Sequence, residues 1–350
     1  MEIGYGLLTC QRHPDERRTD AEIYAEALEL AVEAERVGLD SVWTSEHHFV
    51  DDRYMSAQLV VLAAIAARTT RIRIGAGLYL LPLYGPLHAA EDVTTVDLLS
   101  DGRLILGLGL GWRDEEFEAL GIARRTRVAR LEAGIHVLRQ AWAPGELVTG
   151  DGTVFQYPSV SVTPPPTQPG GPPLWIGAMV EAAVRRAGRI GDGLMGTEAD
   201  AATFGEQVRW ALEEVDRAGG DPDRFAVSIH RPVFCWDGAD AWERSAPYHW
   251  YTTWKYEDME VTRSSRTPRP VPPIPANRLE ALRADLLHGS PERVAEGISA
   301  YEAAAGVPVH FIARSYFPGL DPGVQRATLT LLGERVLPLL GRAGTPGSAT

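Results

Sequence analysis

The stretch IRIGAGLYLLPLYGPLHAAEDVTTVDLLSDGRLILGLGLGWRDEEF, residues 72–117, contains two short apolar runs separated by a segment of helical period. Each apolar run, 72–81 and 103–111, has the length of a buried strand, and the segment between them is long enough for a crossover helix. A strand–helix–strand unit predicts two parallel, neighbouring strands in one sheet. The stretch therefore predicts an α/β fold, and the number of repeats decides which one.

The same alternation continues along the 350 residues. A typical helical segment begins at Asp20, which we take as an acidic N-cap, and ends at Gly38 in the usual C′ place. Eight strand–helix units in this length fit a closed (β/α)8 TIM barrel better than an open sheet. We predict one barrel domain over residues 1–341 and a flexible tail over 342–350. The predicted strands are residues 2–10, 40–47, 72–81, 103–111, 173–179, 192–197, 225–236 and 309–317.

Two segments interrupt the repeat. Residues 144–173 are rich in proline and glycine and predict a hairpin inserted before the fifth strand. Residues 237–277, after the seventh strand, predict a long irregular segment, which in a compact domain is usually functional or disordered. Its aromatic residues argue against disorder, because they gain by burial. We predict an aromatic lid over the active site that includes Trp250, Tyr251 and Trp254; an oligomer contact is the alternative.

Charge and composition narrow the class of protein. The formal net charge of −13 repels nucleic acid, and no apolar run is long enough to cross a bilayer. The amino terminus lacks the basic flank and apolar core of a secretory signal. Two cysteines exclude a disulfide framework. We therefore expect a cytoplasmic protein with no nucleic-acid or membrane partner.

Polar residues follow the second predicted strand in the sequence Glu46-His47-His48. Active sites of barrel enzymes lie at the carboxyl ends of the strands, so these residues are candidates for chemistry. Successive strand residues point to opposite faces, so both histidines could bind one metal ion only if the strand ended between them. A histidine at the barrel mouth suits a general acid or base. The alternative is that both rings merely satisfy backbone groups.

Glycines alternate at Gly107, Gly109 and Gly111 in the fourth predicted strand. Their spacing does not match a dinucleotide fingerprint. They either leave the strand open to a flat ligand or allow close packing inside the barrel. After the fifth strand the chain turns directly into a helix, and its first free amides, near residues 178–181, could hold a phosphate.

These residues together resemble the bacterial luciferase-like flavin-dependent enzymes. The resemblance rests on SEHHF (45–49), on residues 77–121 and on PPLWIGAMVEAAVRRAGRIGDGL (172–194), and it extends to about residue 340. It implies a barrel that binds reduced FMN, activates O2 as a flavin 4a-peroxide and transfers one oxygen atom to a small organic substrate. It also implies a separate flavin reductase, because no nicotinamide-binding domain is visible, and a homodimer.

The resemblance also implies roles for single residues. His47, the first histidine of the motif, would be catalytic, with His48 beside it, and a cis peptide would join Gly77 and Leu78 behind the flavin. Leu110 stands where luciferase has a phosphate-binding arginine, so Arg113 or backbone amides would bind the phosphate instead. The residues expected to contact the cofactor are Glu46, Gly77, Leu78, Trp112, Arg113, Gly177, Ala178, Met179 and Thr197.

Two alternatives share the same barrel. Related enzymes use a deazaflavin as a hydride carrier and do not activate oxygen, and their fourth strand also resembles GLGLGWRDEEFEALG. The other alternative is a catalytically silent flavin-binding subunit. The histidine motif and the aromatic lid favour an enzyme.

Overall fold

The computed structural model describes residues 1–263 and 268–342. Its barrel strands match the eight predicted ones closely, the predicted hairpin is present as two further strands, and the structure adds one short strand. The strands are β1 (Glu2–Leu8), β2 (Ser41–Thr44), β3 (Arg73–Tyr79), β4 (Leu104–Leu108), β5 (Val148–Gly150), β6 (Gln156–Val160), β7 (Leu174–Gly177), β8 (Gly193–Thr197), β9 (Ala226–Cys235), β10 (Leu287–Gly289) and β11 (His310–Arg314).

Helices follow the strands and surround them. The first begins at a capping box: Thr19, not Asp20 as the sequence suggested, is the N-cap residue, because the side chains of Thr19 and Glu22 bond each other's backbone amides. The helices are α1 (Asp20–Arg36), α2 (Gln58–Arg68), α3 (Pro86–Leu99), α4 (Asp114–Ala119), α5 (Arg127–Trp142), α6 (Glu181–Ile190), α7 (Ala201–Arg217), α8 (Ala241–Val261), α9 (Leu279–Asp285), α10 (Pro291–Ala305), α11 (Pro322–Leu331) and α12 (Leu337–Leu339).

Parallel pairing closes the sheet into a barrel. The order around it is β1, β2, β3, β4, β7, β8, β9 and β11, and β11 pairs with β1. Pairing of β8 with β9 completes the ring. This confirms the predicted (β/α)8 barrel. The hairpin of β5 and β6 is antiparallel and precedes the fifth barrel strand, β7, as predicted.

Large apolar side chains fill the lower barrel. Trp43 and Trp175 stack with their ring centroids 5.4 Å apart, and Ile105, Met195 and Ile312 join them. A side chain at Gly75 would collide with the Trp43 ring, so this glycine makes room for the tryptophan. Trp43 is therefore core packing, and the open part of the barrel begins above this layer.

The predicted lid is helical. The sequence suggested an irregular segment, but residues 241–261 form α8, because tertiary packing of its aromatic face supports a regular helix. Trp250, Tyr251 and Trp254 are buried in a cluster with Leu282. These side chains are covered within this chain, so they are not the exposed oligomer contact that was the alternative reading. Residues 264–267 of the predicted lid lie outside the described residues.

The end of the chain is tied to the barrel as far as Arg342, whose guanidinium bonds the Asp40 carboxylate at 2.7 Å. The predicted tail otherwise falls on residues 343–350, which lie outside the described residues. Among the described helices, none is both long enough and apolar enough to span a membrane.

Candidate active site

His47 lies just beyond the carboxyl end of β2 and is buried. Its Nδ1 is 2.9 Å from Oε1 of Glu116, on α4, and the same oxygen accepts the His48 amide at 2.9 Å. Because a carboxylate accepts, Nδ1 carries the proton of this hydrogen bond, and in the neutral form of the ring Nε2 is the proton acceptor. Glu116 thus fixes both the orientation and the tautomer of His47.

Aromatic rings enclose His47. The ring centroids of Tyr54, Trp112 and Tyr256 lie 4.9, 5.6 and 5.6 Å from that of the imidazole. The hydroxyls of Tyr54 and Tyr256 are 3.0 Å apart. Tyr256 belongs to α8, so this helix covers the end of β2. Such walls exclude water from the imidazole and suit an apolar substrate.

Glu46 supports the backbone that follows β3. Its Oε1 accepts the Leu80 amide at 2.8 Å, and its Oε2 accepts the Tyr84 hydroxyl at 3.2 Å. The Tyr84 hydroxyl also lies 3.1 Å from Nε2 of His48. Burial raises the pKa of Glu46 to about 8, so this carboxyl is mostly protonated at neutral pH. Tyr84 therefore links the Glu46 carboxyl to the His48 ring, whereas within residues 1–263 and 268–342 no side chain or backbone group hydrogen-bonds Nε2 of His47.

The peptide bond between Gly77 and Leu78 is cis, as the resemblance implied. The register of β3 against β4 shifts at this point, and the Leu78 carbonyl accepts a hydrogen bond of 2.9 Å from the Gln58 side chain. Leu78 packs into the space that Gly109 and Gly177 leave empty. Of the two interpretations of the glycine-rich strand, close packing is therefore the correct one. Leu78, which is half-buried, forms an apolar floor for the barrel mouth.

Half-buried residues surround this floor at the carboxyl ends of several strands. Because they are only partly covered, their side chains remain accessible to a ligand at this end of the barrel. A flavin fits this arrangement, because the floor is one branched side chain and the sides supply aromatic and polar groups. These half-buried residues are Trp112, Gly177, Thr197, His230, Tyr256 and Arg314.

Two expectations about a phosphate need correction. Arg113 is buried: its Nη1 donates to the His48 carbonyl at 2.7 Å, and its Nη2 pairs with Glu115. Its guanidinium thus holds the loop that follows β2 (residues 45–52, the histidine loop) and does not face an open site. The Ala178 amide donates to the Met195 carbonyl at 3.2 Å and is not free either. The exposed backbone at Met179 and the start of α6 retain the character of an anion site.

Helix α8 is attached to the histidine loop by buried charges. Nζ of Lys255 lies 2.5 Å from Asp51 and 2.7 Å from Asp258. Burial by itself would lower the pKa of Lys255, but hydrogen bonds to Asp258 and Asp51 outweigh it and raise this pKa, so the amine stays charged. The Tyr251 hydroxyl donates to Asp52 at 2.9 Å. Tyr251 therefore anchors the helix, whereas Trp250 and Trp254 pack away from the mouth.

Two other features are separate from the mouth. Within residues 1–263 and 268–342, no group of three His, Cys, Asp or Glu side chains is placed to hold a metal ion. A groove of about 760 Å³ lies between the start of α8 and α11, with walls that include Trp236, Arg244 and Leu331. None of residues 46–48 contributes to it.

Sequence reasoning missed several residues of the site. Glu116 is one of three consecutive acids, and no sequence signal distinguishes it from Asp114 and Glu115. Tyr54 and Gln58 follow the histidine motif by a few residues but lack a recognisable pattern. Tyr79, the last residue of β3, is buried and stacks on Tyr84.

Known proteins are similar to this chain over most of its length. The chain is 24% identical over 319 residues to the oxygenase component of the flavin-dependent trigonelline monooxygenase of Acinetobacter baylyi, covering 85% of this chain and 86% of that protein. It is 30% identical over 325 residues to the F420-dependent glucose-6-phosphate dehydrogenase of Kineococcus radiotolerans, covering 89% and 92%.

Solved structures share the fold. The oxygenating constituent of 3,6-diketocamphane monooxygenase of Pseudomonas putida, a type II Baeyer–Villiger monooxygenase in complex with FMN, superposes with a TM-score of 0.78 at 20% identity, over 97% of this chain and 98% of that one. The family model described as luciferase-like monooxygenase matches residues 1–307. The chain therefore belongs to the luciferase-like monooxygenase family.

Proposed function

We propose that this protein is a flavin-dependent monooxygenase that uses reduced FMN and O2 to oxygenate a small organic substrate. The observation that carries the proposal is the placement of His47, whose Nδ1 is held by Glu116 while three aromatic rings enclose it. An imidazole held in this way, in a water-poor mouth, suits proton transfer during oxygenation. Reduced FMN, when bound, supplies the electrons that activate O2.

The chain's own residues would do four things. Leu78 would support the flavin ring from below, and Trp112 and Thr197 would border it. Exposed amides at Met179 and the first turn of α6 would bind its phosphate. Nε2 of His47 would accept and return a proton. Tyr256, on α8, would keep bulk water away from that nitrogen.

Three further expectations belong to the proposal. A separate reductase would supply reduced FMN, which is supported by the "oxygenase component" in the name of the Acinetobacter relative. The enzyme would act in the cytoplasm and would form a homodimer. These expectations rest on the family resemblance and on composition.

A second candidate is a deazaflavin-dependent oxidoreductase that transfers hydride without oxygen. It is favoured by the 30% identity to an F420-dependent dehydrogenase over 89% of the chain. In that case His47 would protonate or deprotonate the substrate at the same position.

Anaerobic titration separates the two candidates. We expect reduced FMN to quench tryptophan fluorescence at micromolar concentrations, because Trp112 borders the mouth, and we expect reduced deazaflavin to bind at least about 10-fold more weakly. Trp112→Phe is the matched control that should remove much of the quenching. Tighter binding of the deazaflavin would contradict the proposal and favour hydride transfer.

A further inference from the structure

Arg314 is the last residue of β11, and its side chain reaches the mouth of the barrel. Ile312, two residues earlier, belongs to the interior cluster, and residues two apart on a strand share a face. The guanidinium carbon of Arg314 lies 5.4 Å from the ring centroid of Tyr256. The ring centroid of Tyr256 in turn lies 5.6 Å from that of His47. Arg314 is therefore one aromatic ring away from the proposed proton acceptor.

This guanidinium has no anionic partner in the part of the chain that the structure describes. Within residues 1–263 and 268–342, no carboxylate pairs with the Arg314 guanidinium and no acceptor hydrogen-bonds it. The guanidinium packs over the Tyr256 ring. Its neighbour Arg231 differs, because Asp285 neutralises it at 2.6 Å. Partial burial of a cation without a counter-ion costs desolvation free energy, and an anionic ligand would offset that cost.

His230 adds a polar group without adding charge. It stands opposite Thr197 on β8 and Ile312 on β11, so it faces the same mouth. Burial, together with the charges of Arg314 and Arg231, lowers the pKa of His230 to about 3, so its ring is neutral. A neutral imidazole N–H can donate to an oxygen anion, whereas the Tyr256 hydroxyl is already bonded to that of Tyr54 at 3.0 Å.

The position argues for a substrate group and against the cofactor phosphate. Around the barrel, β11 lies opposite β4 and three strands from β7, whereas the candidate phosphate amides follow β7. Arg314 instead shares its side of the mouth with Tyr256, whose ring it contacts and whose hydroxyl lies 3.0 Å from that of Tyr54. A planar guanidinium binds a carboxylate through two parallel hydrogen bonds, which suits an anionic group on an aromatic substrate.

We infer that Arg314, with Tyr256 and His230 beside it, forms a subsite for the carboxylate of an aromatic or other small organic substrate. The inference rests on the proposed function in one respect, namely that substrate is oxidised in this mouth. The subsite itself does not depend on which cofactor is used.

Benzoate and its neutral counterpart benzamide test the subsite. By calorimetry, with protein alone and with protein saturated with oxidised FMN, we expect benzoate to bind at least about 10-fold more tightly than benzamide. Arg314→Gln should weaken benzoate about 10- to 100-fold, leave benzamide unchanged and leave FMN affinity unchanged. Arg224→Gln, an exposed arginine just before β9, is the matched control and should change nothing.

Other outcomes overturn the inference. Equal affinities for benzoate and benzamide in the parent would remove the carboxylate subsite. A loss of FMN affinity in Arg314→Gln, with riboflavin and benzoate unaffected, would assign Arg314 to the cofactor phosphate. If Arg314→Gln does not fold, Arg314→Lys is the test. Weaker binding of benzoate supports the two parallel hydrogen bonds from the planar guanidinium. An unchanged preference for benzoate over benzamide contradicts them. These binding measurements need no turnover. They can therefore be interpreted even if the protein does not oxygenate a substrate with reduced FMN.

Discussion

Replacing His47 with alanine is expected to slow oxygen transfer by about 10²- to 10⁴-fold, the usual contribution of a positioned proton-transfer group to a rate. The product formed per reduced FMN oxidised should fall as a result, because unproductive oxidation of the flavin competes with the slowed step. FMN affinity should change little, because the imidazole contacts Glu116 and aromatic rings and does not form the floor at Leu78. The measurement is product yield in a single turnover, using any small organic substrate that the parent enzyme oxygenates.

Two companion variants make the result specific. Glu116→Gln keeps the shape of the side chain but can turn its amide toward Nδ1, so we expect an intermediate loss of about 10-fold with a changed pH profile of the yield. His48→Ala should cost less than His47→Ala, because the His48 ring lies beside Tyr84 and supports Glu46. Equal yield per oxidised flavin in His47→Ala and the parent would contradict the assigned role.

Replacing Lys255 with methionine is expected to destabilise the protein by about 3–5 kcal/mol, because the change leaves the buried carboxylates of Asp51 and Asp258 without their shared cation. Arg269 still pairs with Asp258 at 2.7 Å and offsets part of the loss. Urea unfolding measures the change in the free energy of unfolding. Limited proteolysis should also cut α8 faster, since Lys255 joins this helix to the histidine loop.

An exposed ion pair on the same helix provides the control. Arg244 and Asp240 pair near the start of α8 with both side chains close to half exposed, so Arg244→Met should change the free energy of unfolding by no more than about 1 kcal/mol. Lys255→Met within about 1 kcal/mol of the parent, with unchanged proteolysis of α8, would show that the buried charges do not hold the helix.

The barrel was predictable because its signals are local. Short apolar runs, helical periods and glycine at helix ends repeat often enough to identify eight strand–helix units, and each predicted strand overlaps an observed one. The aromatic segment after β9 was predictable as a packed, ordered segment but not as a helix. Its regular form depends on contacts with Leu282 and the loop near Asp51, which are remote in sequence.

The active site was predictable only in part. The position of Glu46, His47 and His48 after a strand was enough to place them at the mouth. The residues that contact them lie on helices distant in sequence: Glu116 lies on α4, which follows β4, and Tyr256 lies on α8. Arg113 shows the opposite error, because an arginine beside a strand end suggested a phosphate contact but is occupied by the His48 carbonyl.

Rapid mixing of the anaerobic protein–FMN complex with oxygenated buffer shows whether this barrel activates oxygen on reduced FMN. We expect a transient absorbance that differs from both reduced and oxidised FMN and that decays faster in Lys255→Met, because the loosened α8 admits water. Direct return of oxidised FMN on the time course of free flavin, together with stable binding of reduced deazaflavin that O2 does not affect, would show that the barrel does not activate oxygen.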